Sequence, residues 1–190
     1  MVIIELLEFM GINIDLKELS IRESEKVEWK ENGDDKNIVV SIVKTISAFA
    51  NDISNLGGGY VVCGAKETKD EYGFPKVEYI GLTSEKLKEI EGKVMQHCRD
   101  YVNPSIIPII HEIPVVSDKS KKILVFVILA GNHAYLYRDG QISTYYVRLS
   151  RETREARNGI LTQLLTMKQK LEYFDKKVNP RSKEIGRAHV

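Results

Sequence analysis

The chain has 190 residues, 43% of them hydrophobic and 29% charged, which fits one compact domain with some extension and argues against disorder. Twenty-eight Lys and Arg oppose 27 Asp and Glu, a net charge of +1. That excludes a module coating nucleic acid through bulk charge and leaves only a local basic patch for such a role.

Residues 1–10 (MVIIELLEFM) carry Glu5 and Glu8 within an apolar stretch, so an amphipathic helix is predicted here and not a secretion signal. Val27-Glu28-Trp29-Lys30 alternates apolar and charged residues, the pattern of a strand with one wet face. The polar pair Asp34-Asp35 suits the start of a helix whose buried stripe is Val39, Ile42, Val43, Ile46, Phe49 and Ala50. Gly57-Gly58-Gly59 then opens Tyr60 to Cys63, a short apolar run typical of a buried strand. A loop around Tyr72-Gly73-Phe74-Pro75 precedes a strand from Val77 to Ile80.

Ser84 is the expected N-cap of a helix with Leu87, Ile90, Val94, Cys98 and Tyr101 on one face, stopped by Asn103-Pro104. Ile106 to Ile110 and Ile113 to Val116 are strand-like but interrupted by Pro108 and Pro114, which suits a sheet edge. Ile123 to Ile128 is the strongest strand, and Asp139-Gly140 marks a hairpin into Thr144 to Arg148. A terminal helix carries Ile160, Leu161, Leu164, Leu165, Leu171 and Phe174. The order implies an α+β fold with a mixed β-sheet packed by helices.

Charge is uneven. Residues 1–36 hold a net −5 and residues 148–183 a net +6. Arg148, Arg151, Arg154 and Arg157 recur every third position. With a helix from Thr153 onward, part of this row forms a basic ridge suited to phosphate; the alternative is a solvated surface in which Arg151 pairs with Glu155. Tyr145 and Tyr146 point to opposite faces of their strand, one packing inside and the other available to a base. The glycine triplet allows close backbone approach, either to a neighbouring strand or to a phosphate. It is not a phosphate-binding P-loop, because no Gly-Lys-Ser/Thr follows.

Cys63 and Cys98 have no CxxC partner, which fits a reducing cytoplasm and gives no zinc site. His97, His111 and His133 are not spaced as ligands, and the Gly-x-Ser-x-Gly turn of a hydrolase is absent. No apolar run approaches the ~20 residues of a membrane span.

Four segments in order, Glu23 to Glu31 (ESEKVEWKE), Ile46 to Ala65 (ISAFAND then LGGGYVVCGA), the Asn103-Pro104 break, and Ser143 to Ala156 (STYYVRLSRETREA), resemble the Schlafen AlbA-type domain, a module of bacterial and archaeal proteins assigned to DNA binding. The link Asp52 to Leu56 is longer than is usual in that family and marks a subgroup in which an ATPase-like region follows the domain. The organisation implied is an N-terminal helix over 1–18, the domain over 19–157, and a helix or linker over 158–183. Residues 184–190 (EIGRAHV) resemble a translated sequencing adapter, so the natural chain is expected to continue beyond about Lys183.

The resemblance implies a nucleic-acid-binding module, for DNA or RNA, within a larger regulator or ATP-binding protein. The expected contacts are Lys30, the backbone of Gly57, Gly58 and Gly59, Arg148 and Arg151, with no cofactor needed. Some animal Schlafen proteins are endoribonucleases that use three carboxylates and a divalent metal. By that resemblance Glu23 and Glu28, with Glu67 as a displaced third acid, are the candidate catalytic set, and Glu23 and Glu28 the candidate ligands of Mg²⁺ or Mn²⁺. A third reading, dimerisation or protein interaction giving a homo-oligomer, rests on the apolar helices near the two ends.

Overall fold

The computed structural model describes residues 25–33 and 35–178, with side chains through 173. The expected N-terminal helix, Glu23 and the 184–190 tail lie outside the described residues.

Strand β1 (Val27–Lys30) leads into helix α1 (Lys36–Asn51). Asp35 caps that helix, its carboxylate accepting the Asn37 N–H at 2.7 Å. The helix ends because Asp52 turns left-handed (φ 40°), its N–H donating to Ala48 O. The remaining elements are β2 (Gly58–Cys63), β3 (Ala65–Lys69), β4 (Pro75–Tyr79), α2 (Ser84–Tyr101), β5 (Val102–Asn103), β6 (Ile109–Pro114), β7 (Lys122–Leu129), β8 (Leu136–Asp139), β9 (Ile142–Leu149), β10 (Glu152–Glu155) and α3 (Asn158–Val178).

The strands form a four-stranded sheet ordered β1-β2-β7-β6, a second ordered β10-β9-β8-β5, and a separate β3–β4 hairpin. Among the described strands only β1 and β2 run parallel; the other pairs are antiparallel. This is an α+β fold with a mixed sheet, as expected. Helix α1 lies between the two large sheets, packing on β2 and β7 on one side and on β9, β8 and β10 on the other. That position explains why nearly every side chain from Ile42 to Asp52 is buried, Thr45, Ser47 and Asn51 included. Helix α2 lies beside it, and Val39, Ile46, Phe49, Val61, Leu87, Phe126 and Tyr137 belong to the main core. The opposite face of the first sheet gathers Val27, Trp29, Val62, Val125 and Val127 under Ala65 and Val77 of the β3–β4 hairpin. Covered on both faces, β7 reads as an unbroken apolar run.

Several local expectations change. The cap of α2 is Thr83, not Ser84, its hydroxyl accepting the Lys86 N–H. The two strands expected across 106–116 are one edge strand, β6, beginning after Pro108 and ending at Pro114. No helix starts at Thr153: residues 152–155 turn back as β10 on β9, and α3 begins at Asn158. Backbone pairing with β9 overrides the helix-compatible sequence there. Tyr145 and Tyr146 do point to opposite faces, but both are packed, Tyr146 in the main core and Tyr145 against the Val147–Leu164 cluster under α3. Tyr146 is buried, and Tyr145 is half-buried.

Cys63 and Cys98 are reduced and buried, and burial pushes both thiols up to about 12. Neither should react with a disulfide reagent at pH 8 while the chain is folded. Labelling in urea should follow the unfolding curve; modification of a full equivalent without denaturant would refute the placement.

Candidate nucleic-acid interface

Strand alternation places Glu28 and Lys30 on the face of β1 opposite Val27 and Trp29. That face is not simply wet. Lys30 Nζ donates to Glu28 Oε1 at 2.5 Å, and Arg148 Nη1 donates to Glu28 Oε2 at 2.8 Å. The same Arg148 nitrogen reaches Thr153 Oγ1 at 3.1 Å, and Thr153 shares a hydrogen bond of 2.9 Å with Thr45 of α1. The guanidinium also lies over the Phe49 ring, 5.2 Å from its centroid. One polar chain thus links β1, β9, β10 and α1 through a single carboxylate.

Lys30 and Arg148 do come together from positions far apart in the sequence, as expected. Their environment differs from the expectation. The Arg148 side chain is only 5% exposed and the Glu28 side chain 12%. A guanidinium held this way cannot reach a phosphate, so Arg148 organises the interior and is not a contact residue. Lys30 is half-buried at the rim, and Arg151 is exposed at the β9–β10 turn, where Ser150 is left-handed (φ 56°). Among the described residues Arg151 has no ion pair, whereas Arg154 pairs with Glu152 and Arg157 with Glu155. The basic ridge therefore reduces to one unneutralised arginine.

The glycines serve the fold. The Asp52 carboxylate accepts the N–H groups of Leu56 and Gly57, each at 2.8 Å, filling the place an incoming phosphate would take. Gly58 and Gly59 are already paired with Leu129 and Ile128 of β7. A Cβ on Gly58 would lie 2.0 Å from Ile128 O, and one on Gly59 would lie 2.3 Å from the Phe49 ring. Close packing of β2 on β7 and α1 requires Gly58 and Gly59, while the Gly57 N–H is held by Asp52.

Of the candidate metal ligands, Glu28 and Glu67 are described and Glu23 is not. Both Glu28 oxygens are engaged by cations, and Glu67 is exposed on the hairpin face it shares with Ala65 and Val77, which face the opposite cluster. No group of three His, Cys, Asp or Glu side chains able to hold a metal occurs among the described residues.

Three polar residues escaped the sequence reading. Asn51 donates to Tyr135 O and Tyr146 O and accepts the Tyr135 N–H, tying the end of α1 to the second sheet. Asp52 organises the glycine approach. Lys168 of α3 is buried, its ammonium donating to Gly131 O at 2.6 Å and Ala50 O at 3.3 Å. Burial lowers its pKa, opposed by the charge of Asp52. The Asn-Asp pair before a glycine run is a readable helix-stop signal; nothing local marks Lys168.

The family model described as Schlafen, AlbA_2 matches residues 23–157, well over half of the chain. The chain belongs to the Schlafen AlbA_2 family. The AlbA_2 match covers β1 through β10 and stops just before α3. Solved structures similar to it include the following two. The N-terminal domain of a RecG-related protein from Nitrosomonas europaea is 21% identical over 66% of this chain and 71% of that one, with a TM-score of 0.46. The DIP2311 protein from Corynebacterium diphtheriae is 12% identical over 69% of this chain and 22% of that one, with a TM-score of 0.43. No curated protein matches the AlbA_2 chain. No helix among the described residues is long and apolar enough to cross a membrane.

Proposed function

We propose that this AlbA_2 domain is a nucleic-acid-binding module of a larger regulator or ATP-binding protein, holding the sugar–phosphate backbone electrostatically and with little regard for sequence. The observation that carries this reading is the Lys30–Glu28–Arg148 bridge. Two cations are gathered on one carboxylate, and the same bridge fastens the turn bearing exposed Arg151 to the Lys30 strand. Family membership supports the same assignment. Lys30 and Arg151 are the proposed phosphate contacts, with Arg148 holding them in register.

Few contacts imply a shallow salt dependence, with a log–log slope on the order of −2 to −4. Arg151→Ala should weaken DNA and RNA binding several-fold regardless of sequence and reduce the slope by about 1. Arg154→Ala, which removes an already neutralised charge, should do less. Fluorescence anisotropy with labelled single- and double-stranded oligonucleotides across a salt series reads both. Absence of binding at low salt to DNA and RNA alike, or affinity that ignores salt, would remove this function.

A further inference from the structure

The β3–β4 hairpin is bonded to neither large sheet and ends in a turn with two solvent-facing rings, Tyr72 at 77% and Phe74 at 67% exposure. Aromatic rings so exposed need a reason, and a floppy tip is not the one. Asp70 Oδ1 accepts the N–H groups of Tyr72 (2.9 Å) and Phe74 (2.8 Å). Asp70 N–H donates to Phe74 O, Gly73 N–H donates to Asp70 O, and Thr68 Oγ1 donates to Lys76 O. Gly73 supplies the left-handed conformation the turn needs (φ 83°). The rings are thus carried on a preformed turn.

We propose that this tip is a base-stacking platform for unpaired nucleotides of a single strand, a deepening that rests on the nucleic-acid reading above. Chain geometry limits the Cα atoms of Tyr72 and Phe74 to about 7 Å apart, so both rings issue from one short turn. Lys69 and Lys76 are exposed where the strands enter the turn, one on each face of the hairpin, so each is open to a phosphate on its own side. Against them stand Glu71 in the turn and the exposed Glu67 and Glu78 on the strands, so stacking and not charge carries the platform; the Asp70 carboxylate is already engaged by the backbone. Size argues against a protein partner. A specific protein interface takes about 800 Å² from each side around an apolar centre, whereas here two rings are edged at once by Lys69, Glu71 and Lys76. Stacking suits such a patch because every base has a π-face.

The test uses fluorescein-labelled dT12, rU12 and a 20-base-pair duplex, with anisotropy measured on the full chain. Tyr72→Ala and Phe74→Ala should each cost about tenfold on dT12 and rU12, and together about a hundredfold, with duplex affinity and the salt slope unchanged. Tyr72→Trp should keep single-strand affinity, and unlabelled dT12 should quench its indole emission, with the wild-type protein, whose Trp29 is buried, as blank. Unchanged single-strand affinity in the double variant, equal losses on duplex and single strand, or no quenching would each overturn the platform. If Arg151→Ala still weakens binding in that case, nucleic-acid binding stands without it. If the wild type binds none of the three probes, both readings fall together.

Discussion

Gly58→Ala is expected to cost about 2–6 kcal/mol in urea denaturation. Two effects add. Gly58 has φ 103°, where an alanine is strained by about 1–3 kcal/mol. Its Cβ would also stand 2.0 Å from Ile128 O and 2.9 Å from Ala130 N, backbone atoms of the central strand and its exit. Those atoms cannot yield locally, because Ile128 is paired with Gly59 and Ala130 N–H donates to Gly57 O. Relief requires β2 and β7 to separate, and overpacking of this kind costs a further ~1–3 kcal/mol. Gly57 is the internal control. Its φ is 85°, but a Cβ there meets nothing within 4 Å, so Gly57→Ala should cost only about 1–2 kcal/mol. Equal losses at the two positions would show that the strands are not apposed as described.

Arg148→Ala should destabilise the domain by about 3–5 kcal/mol, the usual consequence of removing one partner of a buried ion pair. The substitution leaves Glu28 desolvated with Lys30 as a rim partner, takes a donor from Thr153, and empties the space over Phe49. Lys30→Ala should cost far less, about 1 kcal/mol, because that side chain is 22% exposed and water replaces it. Since Arg148 and Glu28 contact each other, Glu28→Ala combined with Arg148→Ala should cost clearly less than the two single changes added together. A loss below about 1 kcal/mol for Arg148→Ala would place the guanidinium in solvent and return it to the list of phosphate contacts. Binding assays on Arg148 variants therefore need a stability measurement beside them, whereas Arg151 variants alter an exposed side chain.

The fold was legible wherever periodicity is strong. The buried stripe of α1, the β7 run and the Asp139-Gly140 hairpin all follow from side-chain spacing and turn chemistry, which act over a few residues. The passage from 152 to 155 was not, because the sequence Glu-Thr-Arg-Glu suits a helix or a strand, and only the waiting edge of β9 decides between them. The same limit governs the interface. Glu28 and Lys30 could be placed on one face of a strand by alternation alone, but Arg148 is 120 residues away from the carboxylate it binds.

Local sequence determined that this chain makes a short charged strand, a helix with an apolar stripe, a glycine entry into a core strand and a row of regularly spaced arginines. Tertiary structure decided which of those charges reach solvent. Burying α1 between two sheets draws Glu28, Arg148 and Thr153 into one desolvated chain of hydrogen bonds, while the tight turn after β9 turns Arg151 outward. An arginine's accessibility depends on what packs against it from distant parts of the chain, and four arginines at a regular spacing carry no local sign of that difference.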